Sequence, residues 1–446
     1  MSGIWVQIAQ LFLSLSFLII LHELGHFIPA KLFKTRVEKF YLFFDPYFSL
    51  FKFKKGDTEY GIGWLPFGGY VKISGMIDES MDKEQLAKPP ESWEFRSKPA
   101  WQRLIIMLGG VTVNVILAII IYGMVLFVWG ETKLPISSLK HGIQVDSVGE
   151  VMGFRTGDQL LRYDETPIDD FFTFHKKIIQ DKPEFIYVLR DGKEVALPID
   201  KKFLKTMIKN DKSMHVMPRV EFVINGFRAS EGDTISTAEL AGFKLGDKLV
   251  GMNEVSTTFF DEFKTLTQNN KGKDVQVSLI REGKNEKINV TVPETGVLGI
   301  VPSIFDEDKL VVTEYSVAQA IPAGVVKAMD ILDFYIAQMG LLFVPETEAY
   351  KKVGGFAAMT KNFPTVWDWQ SFWKITAFFS IVLAFMNILP IPALDGGHAL
   401  FLFYEIIVGK KPADKFLEYA QMVGMILVLM LLVVANGNDL LRWITG

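Results

Sequence analysis

Four stretches of this 446-residue chain approach or exceed the length needed to cross a bilayer: Ile4–Ala30, Trp101–Trp129, Phe372–Leu394 and Tyr419–Ala435. A hydrocarbon core of about 30 Å needs roughly 18–20 apolar residues in a helix, so each is read as a membrane span. The chain is 49% hydrophobic, with mean hydropathy +0.24, yet 22% of its residues are charged. Soluble modules therefore accompany the spans. The first run is not read as a cleaved signal peptide, because it lacks an N-terminal positive charge and ends in His22, Glu23 and His26. A net charge of −4 gives no sign of a nucleic-acid partner. The absence of cysteine excludes disulfides, iron–sulfur clusters and thiol nucleophiles, and it leaves zinc ligation to His, Asp and Glu.

Basic residues set the expected orientation. Lys31, Lys34, Arg36 and Lys39 follow the first span; Arg96, Lys98 and Arg103 lead into the second; Lys410, Lys411 and Lys415 lie between the third and fourth. Those two loops are expected in the cytosol, with both termini and the long segment after the second span outside. The expected division is 1–35 for the first span, 36–77 for β-hairpins, 78–99 for a cytosolic linker and 100–130 for the second span. Two outer domains follow at 131–213 and 214–304, then a connector at 305–370. The third span covers 371–396, a cytosolic loop 397–417, and the fourth span with its tail 418–446.

Residues 36–75 read as four strands in two hairpins: VEKFYLFF, a DPY turn, LFKFKK, and TEYGIGWLPFGGYVKI with a turn at Pro66, Gly68 and Gly69. Their apolar tip suggests a loop dipping back into the membrane, where backbone persists only under cover of protein or a water cavity. The outer region repeats itself. GFRTGDQLLRYDETPIDDF from Gly153 returns as GFKLGDKLVGMNEVSTTFFDEF from Gly242, and VLRDGKEVALPI returns as LIREGKNEKINVTV. Glycine permits the tight turn, and its aspartate caps the turn through the side chain. The pattern resembles tandem PDZ domains of the circularly permuted bacterial type. Within the connector, Val325, Met329, Leu332, Ile336, Met339 and Phe343 recur at helical spacing, as in an amphipathic helix on the outer membrane face.

The chemistry sits in the first span. His22-Glu23-Leu24-Gly25-His26 fits H-E-x-x-H, whose imidazoles at i and i+4 share one helix face and can bind one zinc ion. Glu23 is placed to take a proton from water. Ionisable residues inside a membrane are costly and mark functional sites. A catalytic zinc takes three protein ligands and leaves one position open. Of the other histidines, His141, His175 and His215 fall in the outer region, which leaves AFMNILPIPALDGGHAL at the end of the third span. Pro390 and Pro392 interrupt that helix. Asp395 is the favoured third ligand and His398 the alternative. Asn387 is a candidate to bind freed carbonyls or an extended substrate. Depth agrees: His22 lies nine residues before Lys31, about 13 Å inside the cytosolic end, and Asp395 belongs to the same side.

LHELGH, GDTEYGIGWLPFGGYVK, the PDZ-like pair and NILPIPALDGGH, in this order, resemble the site-2 intramembrane zinc metalloproteases over nearly the whole chain. The bacterial regulator-of-sigma-E group is the nearest match. The resemblance implies a polytopic α-helical membrane protein of four transmembrane helices, with a membrane-associated β-sheet and two extracytoplasmic PDZ-like α+β domains. It also implies one Zn2+ on His22, His26 and Asp395, with Glu23 as catalytic base. The implied substrate is a single-span membrane protein, such as an anti-sigma factor after first-site trimming or a remnant signal peptide, in the bilayer of a bacterial inner membrane. Gly61, Ile62, Gly68, Gly69, Tyr70 and Val71 are further candidates for holding an extended substrate, with Asn114 and His398 beside the metal. Two departures stand out: Gly110-Val111-Thr112-Val113-Asn114 lacks a family proline, and Gly354-Gly355-Phe356 replaces S-G-P. The competing readings are a membrane PDZ scaffold with a vestigial metal site and a metal sensor or transporter.

Overall fold

The computed structural model describes residues 2–76, 89–209, 215–229, 234–303 and 307–445. The chain divides into two compact units, one of residues 1–130, 314–339 and 350–446, the other of 131–313 and 340–349. The first unit opens with α1 (Ser2–Leu32), a single helix carrying the H-E-x-x-H motif. Two long bent strands follow, β1 (Val37–Lys55) and β2 (Thr58–Ile73). β1 bends where Phe43 and Tyr47 take positive φ around Pro46, and β2 bends near Pro66 and Gly68. Four segments therefore lie side by side in the order 69–73, 37–42, 59–62, 51–55. Tyr41, for example, pairs with Tyr70 on one side and Gly61 on the other.

This differs from two successive hairpins. Only 49–55 and 58–63 form a hairpin; segment 59–62 slips between 37–42 and 51–55 and runs in the same direction as 37–42. Burial accounts for the order: Val37 and Tyr41 are fully buried and take the centre, whereas the lysine-rich 51–55 is exposed at an edge. The linker expected at 78–99 lies outside the described residues up to 88. Its last part holds a short 3₁₀ turn at Phe95–Ser97. Helix α2 (Ala100–Trp129) is the second apolar helix.

The second unit contains the repeat as structure. The first copy is a four-stranded antiparallel sheet of β3 (Gln159–Tyr163), β4 (Thr166–Pro167), β5 (Phe185–Arg190) and β6 (Lys193–Pro198), ordered β4-β3-β5-β6, with α3 (Phe174–Asp181) between β4 and β5. The second repeats it with β7 (Lys248–Met252), β8 (Val255–Ser256), β9 (Asp274–Arg281), β10 (Lys284–Thr291) and α4 (Phe260–Asn269). Each copy has its own apolar core, built around Phe154, Phe171 and Phe174 in one and Phe222 and Phe263 in the other. The repeated aspartate caps its turn: Asp158 accepts from Arg155 N–H and Asp247 from Lys244 N–H, each at 2.8 Å. Both also take two bonds from an arginine on the hairpin strand, Arg190 and Arg281 respectively.

Back in the first unit, α5 (Val317–Leu341) lays a small-residue face on α2. A Cβ at Gly324 would sit 2.7 Å from the Gly123 nitrogen, so two glycines set the crossing. Short α6 (Phe356–Lys361) precedes α7 (Trp369–Ile388). α7 ends six residues earlier than Leu394, because Pro390 and Pro392 cannot continue it. The stretch expected as a cytosolic loop from 397 is mostly helix, α8 (Asp395–Val408), and α9 (Asp414–Thr445) starts before residue 418. Among the described residues, helices α1, α2, α7 and α9 contain the four segments long and apolar enough to cross a membrane. Polar side chains tie them together, as Ser14 to Thr376 at 2.9 Å and Ser380 to the Asn114 carbonyl at 2.7 Å. The Gly354-Gly355-Phe356 stretch docks on α9 through Asp439 and Asn436.

Candidate metal centre

α1 and α2 approach until their backbones touch. A Cβ at Gly25 would lie 2.4 Å from the Gly109 carbonyl oxygen, so the residue between the motif's leucine and second histidine must be glycine. That contact brings the α2 backbone to the imidazoles. His26 Nδ1 lies 2.8 Å from the Ile106 carbonyl oxygen, to which it donates. His22 Nδ1 lies 3.1 Å from the amide of Asn114, which is fully buried. A half-turn of that amide presents Oδ1, which otherwise has no partner, as acceptor for a proton on Nδ1. With the Asn114 amide so turned, both Nδ1 atoms donate and both Nε2 atoms carry a free lone pair, the arrangement a ligating histidine needs.

Asp395 completes the group. Its Oδ2 stands 3.3 Å from His22 Nε2 and 3.3 Å from His26 Nε2, and the two Nε2 atoms are 3.2 Å apart. Tetrahedral zinc bonds of about 2.0–2.1 Å place ligand atoms about 3.3–3.4 Å apart. The triangle matches. Asp395 Oδ2 is also buried with no hydrogen-bond donor, so it has an unmet demand for a cation. Among the described residues this is the one His/Asp/Glu cluster with metal-ligand spacing. His398, one turn along α8, lines the adjoining cavity but stands outside the triangle.

That cavity has a volume of about 650 Å³, and Glu23, Gly69, Tyr70, Val71 and Asp395 are among the residues lining it. Segment 69–73 pairs with 37–42 along one side only, which makes it a sheet edge beside the metal ligands. A Cβ at Gly69 would lie 3.4 Å from Glu23 Cγ and closer still to Ile19, so glycine lets this edge approach the motif. Gly61 and Ile62 belong instead to the interior segment, paired on both sides, and do not line the cavity. Asn387, at the end of α7, puts its amide 3.4 Å from His22 Nε2. Gly68 sits at the bend with φ +143°.

The edge strand is braced by the stacked rings of Tyr41, Tyr70 and Phe44. Tyr70 donates to Asp45 at 2.7 Å and Tyr41 to Glu59 at 2.7 Å. Burial first, and then these carboxylates, push the Tyr41 phenol up to about 12 and raise Tyr70 as well, so both remain donors. Burial pushes Asp45 up, but the Tyr70 bond and the Lys39 charge outweigh it and hold the carboxyl below its usual range.

Several site-building residues were not singled out from sequence. The Ile106 carbonyl is invisible to any side-chain pattern. Gly109-Gly110 in an apolar run is a recognisable signal for close helix approach. The half-buried ion pair of Arg103 with Glu405, which ties α8 to α2, joins positions 302 apart and leaves no local trace.

H-E-x-x-H on one apolar helix long enough to cross a membrane, with a carboxylate from the start of the distant α8 in the same triangle, defines a zinc-dependent metallopeptidase. The pattern of peptidase family M50 matches residues 10–431, and the chain belongs to that family, as a site-2 type metalloprotease. It is 27% identical to the regulator of sigma-E protease RseP of Escherichia coli (strain K12), covering 99% of this chain and all of that protein. It is 26% identical to the RseP of Salmonella typhimurium (strain 14028s), over the same shares. A putative zinc metalloprotease of Neisseria meningitidis is 27% identical, over 95% of this chain and 96% of its own.

Proposed function

We propose that the chain cleaves single-span membrane proteins within the bilayer, with Glu23 as general base and His22, His26 and Asp395 holding one zinc ion. The observation that carries this reading is the equal-sided triangle around a buried, donorless carboxylate oxygen. A bound zinc ion supplies Lewis-acid chemistry that makes water nucleophilic near neutral pH. The Glu23 carboxylate accepts the proton of the attacking water and returns it to the leaving amine. A helical substrate has its carbonyls locked in i→i−4 bonds and must unwind. The open edge at 69–73 can receive the extended segment by β-augmentation, with Asn387 across from it.

By the basic-residue asymmetry, the metal site faces the cytosol, and both termini and the second unit lie outside an inner membrane. The relatives' names point to sigma-E signalling, and the substrate class proposed here is an anti-sigma factor. The two four-stranded copies act as PDZ-like modules that exclude untrimmed ectodomains. Deleting 135–303 should then admit untrimmed substrate, and continued resistance would discard the filter. The central test is Glu23→Gln, assayed for zinc content and for cleavage of a single-span reporter. Zinc retained with cleavage lost is expected; retained cleavage removes Glu23 from the role. A scaffold with a vestigial site has no use for a base at that position.

A further inference from the structure

The segment Leu389–Leu394, between α7 and α8, delivers Asp395 to the metal, and its backbone donors can be followed one by one. Leu389 N–H bonds the Met386 carbonyl, Ile391 that of Leu389, and Leu394 that of Ile391. Pro390 and Pro392 have no N–H. The remaining donor, Ala393 N–H, goes to another helix: Gln421 Oε1 on α9, at 3.1 Å. Gln421 is 5% exposed and lines the same cavity as the metal ligands.

Ala393 is also in the left-handed region, at φ +83°. An alanine there is strained and stays only if its surroundings hold it. One turn along α9, a Cβ at Gly424 would fall 1.6 Å from the Pro392 carbonyl oxygen, so the helix lies directly against this bend. Residues 421 and 424 share a face and clasp residues 392 and 393. Relaxing Ala393 toward negative φ swings everything after it, including Asp395 two residues on.

We propose that Gln421 is a positioning residue for the metal centre: by holding Ala393 left-handed, it sets the Asp395 carboxylate at its corner of the ligand triangle. Zinc sites tolerate displacements of about 0.2 Å in ligand distance, so a modest relaxation of this bend reaches the metal. Gln421 acts on the site through Ala393 N–H. The one amide in the apolar stretch 419–435 of α9 thus has a structural partner whose consequence is chemical.

The test uses the full-length protein in detergent. Gln421→Leu removes the acceptor at similar volume, and Gln421→Glu keeps an acceptor at the same reach. Zinc release to a chelator, and the visible absorption of the cobalt(II)-substituted protein, are read alongside thermal melting. Gln421→Leu should release zinc about 10–100-fold faster, as for losses of groups that support ligands, with an altered cobalt spectrum and a preserved melt. Gln421→Glu should match the parent in both. Should Gln421→Leu not melt cooperatively, Gln421→Met takes its place in the same comparison. Equal release and spectra in the parent and the apolar variant, or equal defects in the Leu and Glu variants, overturn the proposal. The inference rests on the zinc reading. A parent protein that holds no zinc would sink that reading, whereas equal retention in parent and variant sinks only this one.

Discussion

Replacing Gly110 by alanine separates the metal centre from the fold that carries it. Gly110 lies on α2, facing both motif histidines. A Cβ there would stand 2.4 Å from His26 Nε2 and 2.5 Å from His22 Cε1. Ordinary Cβ contacts begin at 3.4 Å, so 3.4 − 2.4 leaves 1.0 Å that an imidazole or the helix must yield. That is about five times the ~0.2 Å a zinc–ligand distance tolerates. Helix propensity runs the other way: alanine in place of a mid-helix glycine favours α2 by up to about 1 kcal/mol. The variant should therefore be expressed and helical, melt within a few degrees of the parent, and carry little zinc. Gly437→Ala on α9, where a Cβ meets nothing within 4 Å, is the matched control and should keep both zinc and activity. Metal content of the purified protein by elemental analysis, circular dichroism and cleavage of a single-span reporter read out the three quantities. Full zinc occupancy in Gly110→Ala would show that the imidazoles are free to rearrange, and the argument from close packing would fail.

Other perturbations probe other parts of the molecule. Val71→Pro, on the open sheet edge, should slow cleavage roughly fivefold for each main-chain hydrogen bond lost to substrate, at about 1 kcal/mol apiece, with zinc unchanged. Ile62→Pro, paired on both sides, should instead reduce the yield of folded protein; equal behaviour of the two variants would contradict the edge assignment. In the second unit, Arg281→Ala leaves Asp247 buried without its two arginine bonds, a loss on the order of 3 kcal/mol, to be read from faster hydrogen exchange of β9 amides. Burial pushes the Asp247 carboxyl up, but Arg281 and the Lys244 N–H outweigh it and hold it below its usual range. Its folded value thus lies under the unfolded one, and its stabilisation is present above about pH 4 and lost as pH falls further. The gap between parent and variant should therefore narrow in acid; a gap that widens refutes the assignment.

How far the sequence reached can be judged residue by residue. The four apolar helices were legible because lipid demands long unbroken apolar runs and helices that satisfy their own backbone. The repeat at 153 and 242 was legible because glycine turns and capping aspartates act over a few residues. H-E-x-x-H was legible because helical spacing alone puts both imidazoles on one face. Asp395 was favoured over His398 from sequence, but both lie on the first turn of α8, and which one stands with His22 and His26 is seen only in the packed structure. The sheet order was also beyond local pattern, since 59–62 slipping beside 37–42 depends on which segment buries more apolar surface. The close glycine contact, the Ile106 carbonyl, the Arg103–Glu405 pair and the Gln421 bond join positions 28 to 302 residues apart or use backbone atoms. Short-range rules determine which groups this chain possesses and on which elements they ride. Whether three of them stand 3.2–3.3 Å apart is settled by packing between helices distant in sequence, because a metal centre responds to tenths of an ångström that no local propensity can specify.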